Sequence, residues 1–344
     1  MLLLCVGGRR LTRGPCAAVQ CPCSTLPGPR PCLAWGMSPH ESPSPKLGFA
    51  LRRFAGPARF AEQREALGGS PIRIAHLTDQ HFGRVTSQKV QLEAIRLANA
   101  CAPDIVCLTG DFVAHSCGHL DALIEALSRL DAPAYAVLGN HDHWNGASEV
   151  RAALARAGVE VLDNVHTQLT LKGRRLNLAG VDDSYTGFAD FDRAMRGLDT
   201  RIPTLALAHV PEDADRLWAR GAEFVLSGHT HAGQLTVARL HELSVGKVAG
   251  HRYVHGLYGD RKTAAVYVGA GVGASVFPLR AGERGKREVA VFDLGIRPGT
   301  LAEHHQEQPP LKGRPPSAKT KAKRRARVHK NAAKRARRAQ ARDD

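Results

Sequence analysis

From residue 72 onward the chain alternates two hydrophobic periods. Short apolar, β-branched runs at 72–77, 105–108 and 135–138 are separated by Ala/Leu-rich stretches at 88–100, 120–130 and 149–157. The short runs fit buried strands, and the longer stretches, with apolar residues three or four apart, fit crossover helices. A second series of strand-like runs follows at 168–171, 176–179, 204–207, 224–226, 264–268 and 289–292. Both series are accommodated by an α/β fold in which two sheets pack face to face with helices outside.

On either side of this region the pattern changes. Residues 1–46 carry eight prolines and no apolar period, which predicts a disordered leader or sequence upstream of the true start, with Met37 an alternative start. In the lead-in at 47–70, Phe49, Leu51, Phe54 and Phe60 alternate with Arg52, Arg53, Arg59 and Arg64. Two readings fit: a helix packing its aromatic face on the domain, or a helix lying on an anionic membrane, in either case interrupted by Gly56-Pro57. The domain proper is expected over 71–297. Beyond it, 298–344 turns Pro-rich and then Lys/Arg/Ala-rich, and is expected to leave the fold as a disordered basic tail.

Charge changes this picture only once it is located. The formal net charge is +16, but residues 312–344 hold fourteen basic residues against Asp343 and Asp344, leaving about +4 for everything before them. The globular part is near neutral, so pI does not mark it as a nucleic-acid binder. The tail has no Phe, Trp or Tyr, so it offers electrostatic but not base-stacking contacts, and its alanines permit a helix on an anionic lipid or nucleic-acid surface. Of the 8 cysteines, Cys101, Cys107 and Cys117 in the body show no pairing pattern and Cys21-Pro22-Cys23 in the leader has no His/Cys partner pair at zinc-finger spacing, while no apolar run is long enough to span a bilayer. A cytoplasmic protein, peripheral to the inner membrane through its basic segments, is the expectation.

Five polar clusters follow apolar runs directly. They are Asp79-Gln80-His81, Gly110-Asp111, Gly139-Asn140-His141-Asp142-His143, His209, and Gly228-His229-Thr230-His231. Ligand sites of open α/β sheets lie at strand ends, and carboxylate, amide oxygen and imidazole together suit manganese, zinc or iron. No cysteine belongs to the set. The glycines before three of the clusters are expected to let the backbone turn sharply and approach a metal or phosphate closely.

This ordered set resembles the calcineurin-like metallophosphoesterase superfamily over about residues 72–294. The resemblance implies a four-layer αββα sandwich and two divalent cations. Asp79, His81, Asp111 and His231 would hold one cation, and Asp111, Asn140, His209 and His229 the other, with Asp111 as the bridge. It also implies a hydroxide between the cations as nucleophile, and His141 as a non-ligand histidine that protonates the leaving alkoxide or stabilises the transition state, a carboxylate being one group that could orient it.

Further motifs, Gly180-Val181-Asp182-Asp183, Ser227–Gln234 and Tyr253-Val254-His255-Gly256-Leu257-Tyr258, look like the bacterial branch associated with UDP-2,3-diacylglucosamine pyrophosphatase activity in lipid A synthesis. The substrate implied is a phosphate ester, lipid-linked in that branch. On the membrane reading of the lead-in, residues 49–60 supply the bilayer contact such a substrate needs. Asp182, Asp183, His251, His255 and Arg261 either line the cleft or sit in polar surface loops. Two other classes stay open: a nuclease tethered by the basic tail, and a catalytically idle scaffold, although every ligand position is filled. No obligatory protein partner is evident.

Overall fold

The computed structural model describes residues 44–233, 249–274, 280–303 and 306–343. Within it, alternation along the strands decides which side of each sheet a residue faces. The first sheet runs in the order β1 (Phe49–Ala55), β12 (Arg287–Leu294), β2 (Ile72–Leu77), β3 (Ile105–Thr109), β4 (Ala134–Val137), β5 (Val159–Val161). The second runs β10 (Gly256–Asp260), β11 (Ala264–Val268), β9 (Phe224–Ser227), β8 (Thr204–Leu207), β7 (Arg174–Gly180), β6 (Val165–Leu171). Both are mixed: β2 to β5 are parallel and β12 is antiparallel to β2, while β7, β8, β9 and β11 are parallel between the antiparallel edges β6 and β10.

Ile72, Ile74, Ile105 and Cys107 of the first sheet meet Leu205, Leu207, Phe224 and Leu226 of the second in the central core. Their neighbours Ala75, Leu77, Val106 and Leu108 face the other way, onto α2 (Gln88–Ala100), α3 (Leu120–Leu127) and α5 (Ala147–Arg156). Ala206 and Val225 likewise face outward, onto α6 (Phe191–Met195) and α7 (Ala214–Trp218). Because strands buried on both faces are apolar throughout, they read as continuous runs. The result is the expected αββα sandwich.

Two regions depart from expectation. Residues 47–66 are not one helix but strand β1, paired in parallel with β12 from Phe49↔Arg287 to Ala55↔Asp293, followed after Gly56-Pro57 by α1 (Ala58–Leu67). Phe49, Phe54 and Phe60 are buried in the cores, and Arg52 is buried against Glu288, so this segment has no aromatic face to offer a membrane. The misreading has a physical source: a strand with one buried charge does not alternate cleanly.

The chain does not leave the fold at 298 either. Arg261 pairs with Glu303 and Glu307, Gln308 bridges to Tyr258, and Leu311 and Arg314 donate backbone hydrogen bonds to Arg252 and Gly250. Where a disordered tail was expected, α8 (Ala318–Asp343) forms, its first turn capped by the Ser317 hydroxyl accepting from the Thr320 amide at 3.2 Å. Among the described residues no helix is long and apolar enough to cross a membrane. Residues 1–43, with the leader cysteines, lie outside the described residues, as does Gln234.

Candidate metal centre

Loops after β2, β3, β4, β8 and β9 converge at one end of the sandwich. Asp79, His81 and His231 form one cluster and Asp111, His209 and His229 another, the ligand atoms within each lying inside 4.8 Å. In the first, His231 Nε2 is 2.9 Å from His81 Nε2 and 3.4 Å from Asp79 Oδ1. In the second, His209 Nε2 is 3.4 Å from Asp111 Oδ1 and 3.2 Å from His229 Nδ1. The other oxygen of Asp111, Oδ2, turns back toward His81 Nε2 at 3.6 Å. One carboxylate therefore addresses both clusters.

Asn140 opens the short helix α4 (Asn140–Asn145), and its buried Oδ1 has no hydrogen-bond partner among the described residues. A buried amide oxygen without a partner is costly, and a cation is a partner that removes the cost. His209 donates its Nδ1–H to the Thr109 carbonyl at 2.8 Å, which aims Nε2 into the cluster. Burial pushes His81 and His231 down to about 3 and His229 well below its ordinary value, so these rings are neutral and offer lone pairs. Burial also acts to lower His209, but the Asp111 carboxylate against it holds it well above the usual range. The residues fit two divalent cations.

The backbone is strained at these ligands. Asp79, His81, Asp111, His229 and His231 all have positive φ, between 47° and 72°. Such angles are uncommon for residues other than glycine and cluster where function over-determines geometry. The glycines were expected to supply this freedom, but only Gly110, at φ 83°, does so. Gly139 and Gly228 instead give room: a Cβ on Gly139 would overlap Asp111, and one on Gly228 would overlap Thr78 and Asp79.

Asp142 ties the loops together. Its Oδ1 accepts from the amides of Phe112 (2.9 Å) and Val113 (3.1 Å), and its Oδ2 from Gly139 (2.9 Å). Burial and the nearby Asp111 charge push its carboxyl up to about 7. His141 stands beside the first cluster, its ring 4.8 Å from that of His81, and belongs to neither set of ligands. Its amide donates to Asp111 Oδ1 at 2.8 Å. Among the described residues no carboxylate orients its ring; Nδ1 instead meets the Ala114 carbonyl at 2.5 Å, which leaves Nε2 uncommitted by that bond.

The other suggested cleft residues divide. His251 lies at the site, 5.2 Å from the His229 ring and paired with Glu212. Asp182 is buried against His143 at 2.7 Å, Asp183 accepts from the turn at Tyr185 and Thr186, and His255 joins Glu288, Arg52 and Tyr267 in a buried network. Arg261 holds Glu303 and Glu307, so these four are buried structural groups rather than surface loops.

Three residues of the site were not anticipated. Arg280 places Nη2 3.3 Å from His231 Nδ1 and is gripped by the carbonyls of Ala270 and Gly273. The signal for that loop was the glycine-rich run after β11, where Val272 and Gly273 donate to the Thr78 and Asp79 carbonyls. Trp144 and Tyr185 wall the mouth, their rings 5.0 Å from His141 and 4.9 Å from His229.

Comparisons agree with this geometry. The calcineurin-like phosphoesterase family profile matches residues 72–233. Phosphodiesterase YaeI of Escherichia coli K12 is 31% identical over 260 residues, covering 72% of this chain and 93% of the relative. The uncharacterized metallophosphoesterase YkuE of Bacillus subtilis 168 is 28% identical over 260 residues, covering 72% and 90%. An uncharacterized metallophosphoesterase of Aquifex aeolicus is 33% identical over 175 residues, covering 48% and 66%. With its sandwich fold, its two clusters of ligands and these relatives, the chain belongs to the calcineurin-like phosphoesterases, hydrolases that act through a dinuclear metal site.

Proposed function

We propose that this hydrolase cleaves phosphodiester or pyrophosphate bonds rather than phosphate monoesters. The observation that carries the dinuclear chemistry is Asp111, one oxygen toward each cluster, with the Asn140 oxygen lacking a partner among the described residues. Preference for a diester is supported by the phosphodiesterase among its relatives. Two bound cations supply Lewis-acid polarisation of the phosphoryl oxygens and acidify a water for in-line attack.

The protein's own residues do the rest. Asp111, Asp79 and Asn140 fix where phosphorus sits. Asp142 holds the amides around them. His141, with Nδ1 committed to Ala114, delivers a proton from Nε2 to the leaving oxygen. Arg280 keeps His231 in place and adds positive potential toward the phosphoryl group, burial having lowered its guanidinium to about 10 without discharging it at neutral pH. A UDP-linked lipid sugar, suggested by the later motifs, is one pyrophosphate of this class.

The test is manganese-supported hydrolysis of bis-p-nitrophenyl phosphate, p-nitrophenyl phosphate and UDP-diacylglucosamine, with Asp111→Asn as control. Faster turnover of the diester or the pyrophosphate than of the monoester, abolished by the substitution, supports the proposal. A monoester preference contradicts it.

A further inference from the structure

Helix α8 is the most basic element of the chain, yet it docks across the mouth of the metal centre. Arg324, Val328, Asn331 and Arg335 are its half-buried positions, spaced as one helical stripe. Asn331 Nδ2 and Arg335 Nη1 donate to the Trp144 carbonyl at 3.1 and 3.0 Å. The Arg324 guanidinium lies 3.5 Å over the Tyr185 ring, and that of Arg327 3.7 Å over Trp144. Two runs of contacts result, Arg324–Tyr185–His229 and Arg327–Trp144–His141, their rings tilted at 57° and 56°, one ending at each side of the reacting centre.

A cavity of about 1050 Å³ lies between the helix and these two rings. Lys323, Arg324, Arg327 and Lys330 line it, and among the described residues none of its lining is acidic. Among the described residues, no ion pair involves Arg324 or Arg327. Stacking uses the face of a guanidinium and leaves its in-plane N–H donors free, the geometry that phosphate oxygens accept. Such a concentration of unneutralised positive charge is unfavourable unless an anion enters it.

Resting on the phosphodiesterase reading above, we propose that the face of α8 turned toward Trp144 and Tyr185 is a second anion subsite, which binds a phosphate of the substrate other than the one being cleaved. The metal cluster and the helix then grip two phosphates of one molecule, and the helix acts as a specificity element. This accounts for why so charged a helix docks through cation–π and carbonyl contacts rather than through an apolar face.

The experiment uses the full, manganese-loaded chain and two chromogenic esters with the same leaving group: the 5′-p-nitrophenyl ester of thymidylate, with and without a 3′-phosphate. Calorimetric binding of thymidine 3′,5′-bisphosphate against thymidine 5′-monophosphate is measured in parallel. The 3′-phosphate should improve both kcat/KM and affinity by about tenfold or more, an advantage that shrinks with added salt. Arg324→Ala/Arg327→Ala should bring both ratios close to unity, Arg324→Lys/Arg327→Lys should restore part of them, and Arg129→Ala/Arg201→Ala, removing the same charge elsewhere, should leave them as they are.

Equal affinity of the wild type for the two nucleotides, or ratios indifferent to the Arg324/Arg327 substitutions, overturns the proposal. So does loss of residues 312–344 that speeds both esters alike and leaves their ratio intact, since the helix is then a cover only. If neither ester is hydrolysed while the binding preference and its loss persist, the phosphodiesterase reading fails and the subsite stands. Competition by dioctanoylglycerol pyrophosphate or by a 5′-phosphorylated dinucleotide identifies a lipid or a nucleotide source for the second phosphate, and either supports the subsite.

Discussion

Gly139→Ala adds one methyl group at the most crowded point of the site. The new Cβ would overlap the Asp111 Oδ1 and amide, and would stand 2.9 Å from its Cγ. Nothing there is the free end of a flexible chain: Asp111 Oδ1 is held by the His141 amide, and its backbone has φ 56°. Either the bridging carboxylate swings aside or the loops after β3 and β4 separate. Overpacking of this kind costs about 1–3 kcal/mol, a modest part of a domain's stability. Activity is the more sensitive readout, because displacing a metal-bridging group by about an ångström costs on the order of a hundredfold. Stability by urea titration, manganese affinity and kcat/KM on bis-p-nitrophenyl phosphate should separate: a small stability loss, weaker metal binding, and activity down by about two orders of magnitude. Gly118→Ala is the control, since its Cβ would meet nothing nearer than Ser116 Oγ at 3.5 Å and should change stability by less than about 0.5 kcal/mol. A Gly139→Ala protein with wild-type manganese affinity and near wild-type turnover would refute the claim that this glycine exists to let Asp111 bridge.

Other consequences follow from the same geometry. His141→Ala should keep both metals by elemental analysis and lose about 10²–10⁴ in kcat, whereas loss of a metal would make His141 a ligand. Phe54→Ala should cost about 3–5 kcal/mol in urea titration, since the side chain is fully buried between the sheets, and retention on anionic liposomes should not change; lost liposome binding with unchanged stability would reinstate the membrane reading. Asp213 is buried, its Oδ2 lacks a partner among the described residues, and burial pushes its carboxyl up to about 8. Because the folded state then holds a proton that the unfolded state releases near pH 4, Asp213 loses stability as pH rises from about 4 to 8. Asp213→Asn should therefore melt higher than wild type in metal-free protein, with an advantage that grows over that interval; an advantage that shrinks with pH would contradict the assignment.

Legibility of the sequence tracked the kind of force involved. β2, β3, β8 and β9 are buried on both faces, and their ligands follow at once, so apolar run and polar cluster marked strand and site together. β1 was obscured by Arg52, whose burial depends on Glu288, 236 residues away, a pairing that no local window contains. Docking of α8 was hidden for a related reason: its contacts are guanidinium on ring and side chain on carbonyl, which leave no hydrophobic period. The left-handed backbone at Asp79, His81 and Asp111 was equally hidden, since it belongs to residues that ordinarily avoid it. Arg280 reaches His231 from a separate loop, and only the glycines before it hinted at a close approach.

The dinuclear chemistry turns on one carboxylate serving two cations. Manganese content by elemental analysis together with electron paramagnetic resonance of the loaded protein tests it directly. Wild type should bind two manganese ions per chain with the spectrum of an exchange-coupled pair, and Asp111→Asn should lose the coupling and weaken at least one ion. A single ion in the wild type, or two ions whose spectra show no coupling, would contradict the bridge and the dinuclear chemistry built on it.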